Sequence, residues 1–117
     1  MKKNILLDKS KEFALRTIKL YKFLTERKKE FILSKQVLRC GTSIGANVRE
    51  AVVAQSKADF YAKLHISLKE ANETEYWLEL LYESGYIDEK YFTSICSDNK
   101  ELIKLLISII KTKSNDS

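Results

Sequence analysis

The chain has 117 residues, 44% of them hydrophobic and 32% charged, with three glycines and no proline, which fits one soluble helical domain with a real core and leaves no room for a second. Its most apolar stretch, Leu105 to Ile110 with Ser108 inside it, is far too short to span a bilayer, so no membrane partner is expected. The net charge of +5 is uneven: residues 1–39 carry 12 basic and 4 acidic side chains while residues 40–99 carry 5 and 10, a pattern that suits polyanion binding or attraction between helices.

The start, "MKKNILLDKSKEF", opens like a signal peptide, but its apolar run ends at Asp8, well before a signal core is complete. With no proline and few glycines the helices should be long. The first is predicted from about Asp8 to Arg27, capped by Asp8 or Ser10, with Phe13, Thr17, Leu20, Tyr21 and Leu24 on one face. The charged stretch "TERKKE" breaks it. The second helix, about Leu33 to Ala54, carries an apolar stripe of Leu33, Val37, Cys40, Ile44, Val48 and Ala51.

Within it, "LRCGTSIGANVREA" concentrates small and polar residues. Gly41 and Gly45 stand one turn apart, and each costs a helix about 1 kcal/mol relative to alanine. Close approach of a neighbouring backbone is the physical compensation. Ser43, Asn47 and Glu50 form a second stripe beside the apolar one, predicted to join Glu73 and Glu75 in a hydrogen-bonded polar cluster. The stretch lacks the lysine and preceding strand of a phosphate loop.

The third helix is predicted over Lys57 to Ser84, started by Ser56 with Asp59 three positions on and ended by Gly85. Phe60, Leu64, Leu68, Ala71, Leu78 and Tyr82 make its expected core face, with Glu75 in the middle and needing a partner such as Arg39, Arg49 or Asn47. The fourth helix, capped by Asp88, reaches about Lys113, irregular near Ser97 to Asn99, and residues 114–117 are expected to fray. Residues 1–113 then form one antiparallel, up-and-down four-helix bundle, an all-α fold. Ile66, Glu70, Trp77 and Leu80 on the third helix, with Ile103, Ile107 and Ile110 on the fourth, widen the apolar surface beyond one core, which implies a homo-oligomer.

Cys40 and Cys96 fit no metal spacing and read as reduced core thiols of a cytoplasmic protein. The lone His65 has no partner at catalytic spacing, and Glu50, Glu70, Glu73 and Glu75 lack the Glu-x-x-His pairs of di-iron bundles. No enzyme activity, metal or cofactor is expected.

"SIGANVREA", followed by "DFYAKLHISLKEANETEYWLELLYESGYI", resembles the S23-type family, the four-helix-bundle proteins encoded in intervening sequences of bacterial 23S ribosomal RNA genes. The matching motif positions are Ser43, Ile44, Asn47 and Glu50 on the second helix and Phe60, Glu73, Leu78 and Gly85 on the third. The resemblance implies a ring-shaped homopentamer and kinship with nucleic-acid-associated accessory proteins of diversity-generating retroelements. The candidate contacts for RNA or DNA are Lys9, Lys11, Arg16, Lys19, Lys22, Arg27, Lys28, Lys29 and Lys35, with Lys2 and Lys3 adding charge; Tyr21, Tyr61 and Tyr76 are expected to meet neighbouring helices rather than bases. The alternative is a ring that scaffolds another protein and binds no nucleic acid.

Overall fold

The described residues form four helices joined by three short turns: α1 (Lys2–Glu26), α2 (Leu33–Val52), α3 (Lys57–Glu83) and α4 (Glu89–Asn115). The computed structural model describes residues 2–115, with side chains from 5 to 112. Each helix packs against its neighbour in sequence, and α1 closes the circuit against α4. Pairing runs in opposite order across each seam, with Ser10 at Gly45 and Thr17 at Gly41, Arg39 with Glu73 and Glu50 with Lys63, Ala71 with Asn99 and Tyr82 with Phe92, and Lys9 with Glu101 and Arg16 with Asp98, so the neighbours are antiparallel. The described residues span 49 × 22 × 20 Å.

The first helix starts at Lys2 rather than near Asp8. Leu6 belongs to the same buried stripe as Phe13, Leu20 and Leu24, and burying it extends the helix past the expected cap. Ser10 is no cap: it is fully buried in mid-helix, and its hydroxyl donates to Leu7 O at 3.1 Å. Its smallness matters on the facing helix. A Cβ added at Gly45 would lie 3.2 Å from the Ser10 carbonyl oxygen, and one at Gly41 would lie 2.5 Å from Thr17 Cγ2. The two glycines thus let α2 approach α1 at Ser10 and Thr17, which is what offsets their poor helix propensity.

α2 is started by a residue hidden in the charged break. Glu30 is buried, and its carboxylate accepts from the backbone N–H groups of Ile32, Leu33 and Ser34 at 3.2, 2.9 and 2.7 Å, while the Ser34 hydroxyl donates to Glu30 O. These are the orphan donors of a helix start, met by a charged acceptor. Lys29, just before it, sits at φ 55 in the left-handed region.

α3 begins with Ser56 Oγ accepting from Asp59 N–H at 3.1 Å and ends at Gly85 with φ 88. Its core face is rotated from the expected one. Tyr61, Leu64, Ser67, Ala71, Thr74, Leu78 and Leu81 are buried; Phe60, Leu68 and Tyr82 lie only partly buried at the margin. Ser67 and Thr74 are admitted because their hydroxyls are satisfied, Ser67 by Ile44 O across the seam and Thr74 by Glu70 O. Glu75 therefore does not enter the core.

Asp88 Oδ1 accepts from Tyr91 N–H at 2.8 Å and caps α4. The helix runs unbroken through Ser97–Asn99, where an irregularity was expected. Asn99 is fully buried there, donating to Ala71 O at 2.9 Å. Met1 and the last two residues of the tail expected at 114–117 lie outside the described residues.

Candidate functional site

The expected polar cluster divides into separate bonds along the α2–α3 seam. Ser43 Oγ donates to Arg39 O at 2.7 Å and Asn47 Nδ2 donates to Ser43 O at 2.8 Å, so both are satisfied within their own helix. Glu50 pairs with Lys63 at 3.1 Å. Glu73 accepts from Arg39 and, at 3.0 Å, from Trp77 Nε1, while Arg39 also reaches Glu70 at 3.4 Å. The Trp77 bond, with the Arg39 charge beside it, outweighs partial burial and holds the Glu73 carboxyl below its usual pKa. Glu75 does not join this group. It borders a depression on the α3–α4 side with Glu79, Lys100 and Lys104, so its expected pairing with Arg39, Arg49 or Asn47 does not form.

The basic residues fall into two sets. Lys9 pairs with Glu101 at 3.3 Å, and Arg16 pairs with Asp98 at 2.7 Å, donates to Ser94 and lies over the Tyr91 ring. These two cations bind α1 to α4. Lys11, Lys19, Lys22, Arg27, Lys28, Lys29 and Lys35 are exposed, with no ion pair among the described residues, and Lys28 rests over the Phe23 ring. The side chains of Lys2 and Lys3 lie outside the described residues. The free cations from Arg27 to Lys35 gather at the α1–α2 turn.

The α1–α4 seam opens into a groove of about 960 Å³ beside the α3–α4 turn, lined in part by Leu15, Phe23, Tyr86 and Tyr91. Of the residues proposed to meet other copies, Ile66 and Ile107 are exposed; Glu70, Trp77, Leu80, Ile103 and Ile110 are half-buried within the chain itself. Sequence reasoning missed apolar side chains that are more exposed than these. Phe31, Ile32 and Val53 sit in turns, outside any helical periodicity that would have flagged them. Tyr61 is a core residue and Tyr21 is half-buried, while Tyr76 is exposed with its ring edge-on to Trp77.

Both thiols are free and buried, and burial pushes them away from reactivity: Cys40 is raised and Cys96 rises to about 11. Among the described residues no group of three metal-ligating side chains forms, and no helix is long and apolar enough to cross a membrane.

Comparison with known proteins places this arrangement. A crystal structure of a protein with unknown function from the S23 ribosomal protein family of Bacteroides thetaiotaomicron superposes with a TM-score of 0.94 at 63% identity, covering 95% of this chain and 99% of that one. No curated protein matches the sequence. The model of the 23S rRNA-intervening sequence protein family matches residues 2–108, which span all three turns, the Gly41/Gly45 seam and the α2–α3 face, and the chain belongs to that family.

Proposed function

We propose that the protein is a non-enzymatic homopentameric ring of four-helix subunits that binds nucleic acid, structured RNA in particular, through its basic surface. The observation that carries the reading is the segregation of charge. Lys9 and Arg16 are consumed by Glu101 and Asp98, whereas the cations around the α1–α2 turn face solvent without acidic partners among the described residues. A ring repeats that patch on every subunit and strengthens its field. Self-association is supported by the exposed side chains of Ile66 on α3 and Ile107 on α4, each beside half-buried apolar neighbours and on different helices, as a closed head-to-tail ring requires.

Titration of a fluorescent RNA hairpin tests the reading. With about four phosphate contacts, affinity should fall about 100-fold between about 50 and 200 mM salt. Replacing Lys28, Lys29 and Lys35 by Glu should abolish binding. No binding at low salt overturns the reading.

A second reading, a ring that organises another protein, is favoured by the α1–α4 groove, where Leu15 and Phe23 stay exposed beside Tyr86 and Tyr91. In that case Leu15→Glu would abolish partner binding and the lysine replacements would leave it intact.

A further inference from the structure

We infer that the α1–α2 turn is a docking tip for single-stranded nucleic acid, on which Phe31 stacks against an unpaired base while Arg27, Lys28, Lys29 and Lys35 hold the flanking phosphates. The inference rests on the nucleic-acid reading above and assigns it a site and a strand state, the unpaired loops and ends of a structured RNA rather than its duplex stems.

Three observations converge on this turn. Phe31 is 52% exposed and Ile32 75%, two adjacent large apolar side chains that leave half or more of their surface to solvent. They are also held in place. Glu30 N–H donates to Leu24 O at 2.9 Å, its buried carboxylate takes the N–H groups of Ile32, Leu33 and Ser34, and Lys29 adopts a left-handed conformation at φ 55. A turn tied down on both sides presents Phe31 without an ordering cost at the moment of binding. Finally, exposed Arg27, Lys28 and Lys29 precede the pair in the turn and exposed Lys35 follows it, Lys28 resting over Phe23, and the acid between them is withdrawn: the Glu30 charge is spent inside the protein.

The chemistry of the occupant follows. The free amides at the start of α2, which would otherwise attract a phosphate, are already filled by Glu30, so anion contacts must come from the flexible lysines and Arg27. That arrangement follows a backbone without reading its sequence. An exposed aromatic ring among such cations supplies a stacking platform, which a base inside a duplex cannot use. Two apolar side chains offer little area for insertion into a bilayer, where stable anchoring takes a larger amphipathic face or a lipid chain.

Full-length protein is titrated with a fluorescent single-stranded RNA of mixed sequence, with the same strand annealed to its complement, and with phosphatidylserine vesicles. The wild-type protein should prefer the single strand. Phe31→Ala should weaken single-strand binding about tenfold with duplex binding unchanged, and Phe31→Tyr should restore it. Because Phe31 packs in no core, circular dichroism of both variants should match the wild type. Duplex and single strand bound equally, with Phe31→Ala silent, overturns the tip while leaving the nucleic-acid reading standing; no RNA binding at all overturns both. Vesicle binding that depends on Phe31 and Ile32 in the absence of RNA binding assigns the tip to a lipid surface instead and also overturns the proposal.

Discussion

Replacing Glu30 by Gln keeps the side-chain shape and removes its charge, and the cost can be worked from three hydrogen bonds. The carboxylate accepts from Ser34, Leu33 and Ile32 N–H at 2.7, 2.9 and 3.2 Å. A hydrogen bond to a charged acceptor contributes about 1.5 to 3 kcal/mol, and a helix cap about 0.5 to 2. The glutamine amide retains one oxygen acceptor but turns an N–H₂ group toward at least one backbone N–H, so the expected loss is about 2 kcal/mol. Burial pushes the Glu30 carboxyl up, but the N–H groups of Leu33, Ser34 and Ile32 outweigh it and hold the pKa below its ordinary 4.5. A folded-state pKa below the unfolded one means that the stabilisation is complete above about pH 4.5 and disappears as pH falls through the lower, folded value. Urea unfolding of both proteins at one fixed subunit concentration should show the gap near pH 7 and a smaller one near pH 3. Equal stabilities at neutral pH, or a gap that widens in acid, would refute the role assigned to this carboxylate.

Three further outcomes are expected. Gly41→Ala gains about 1 kcal/mol of helix propensity but overlaps Thr17 Cγ2, so it should destabilise by about 1 to 2 kcal/mol net; Thr17→Ser removes that methyl, and the double variant should lie at least 1 kcal/mol above the sum of the two singles in thermal or urea unfolding. Additive single effects would place the close approach elsewhere. Protonating Glu73 weakens its bond from Trp77 Nε1, so the emission of the sole tryptophan should shift with a midpoint below pH 4.5, and Glu73→Gln should abolish that titration. Arg16→Ala should open the α1–α4 seam, and increased amide exchange in residues 91–98 is the measurement that checks it.

Local relations were the legible part of this sequence. Ser56 with Asp59, Asp88 with Tyr91, and Gly85 at positive φ are determined within a few residues, and each cap or stop lies where spacing predicts. The α2 stripe was largely readable: Val37, Cys40, Ile44, Val48 and Ala51 are buried as expected, whereas Leu33 is only half-buried and Ser34 takes the buried place beside it. On α3 the same logic favoured Phe60, Leu68 and Tyr82 over Ser67 and Thr74, since hydropathy undervalues small residues whose hydroxyls find carbonyl partners. Glu30 was hidden in a run of charges, with Ser34 four positions on as its available signal. The candidate site was less legible. Nothing local shows that Lys9 and Arg16 meet acids more than 80 residues away, which removes both from the free basic surface and leaves it to Lys11, Lys19, Lys22 and the cations of the α1–α2 turn.

The account depends most on the assembly, because the proposed ring would decide both what covers Ile66 and Ile107 and how many basic turns are brought together. Native mass spectrometry of the full chain at micromolar concentration measures it directly. A single species at five times the 13.6 kDa subunit mass is the predicted result. A stable 13.6 kDa monomer under the same conditions would contradict it.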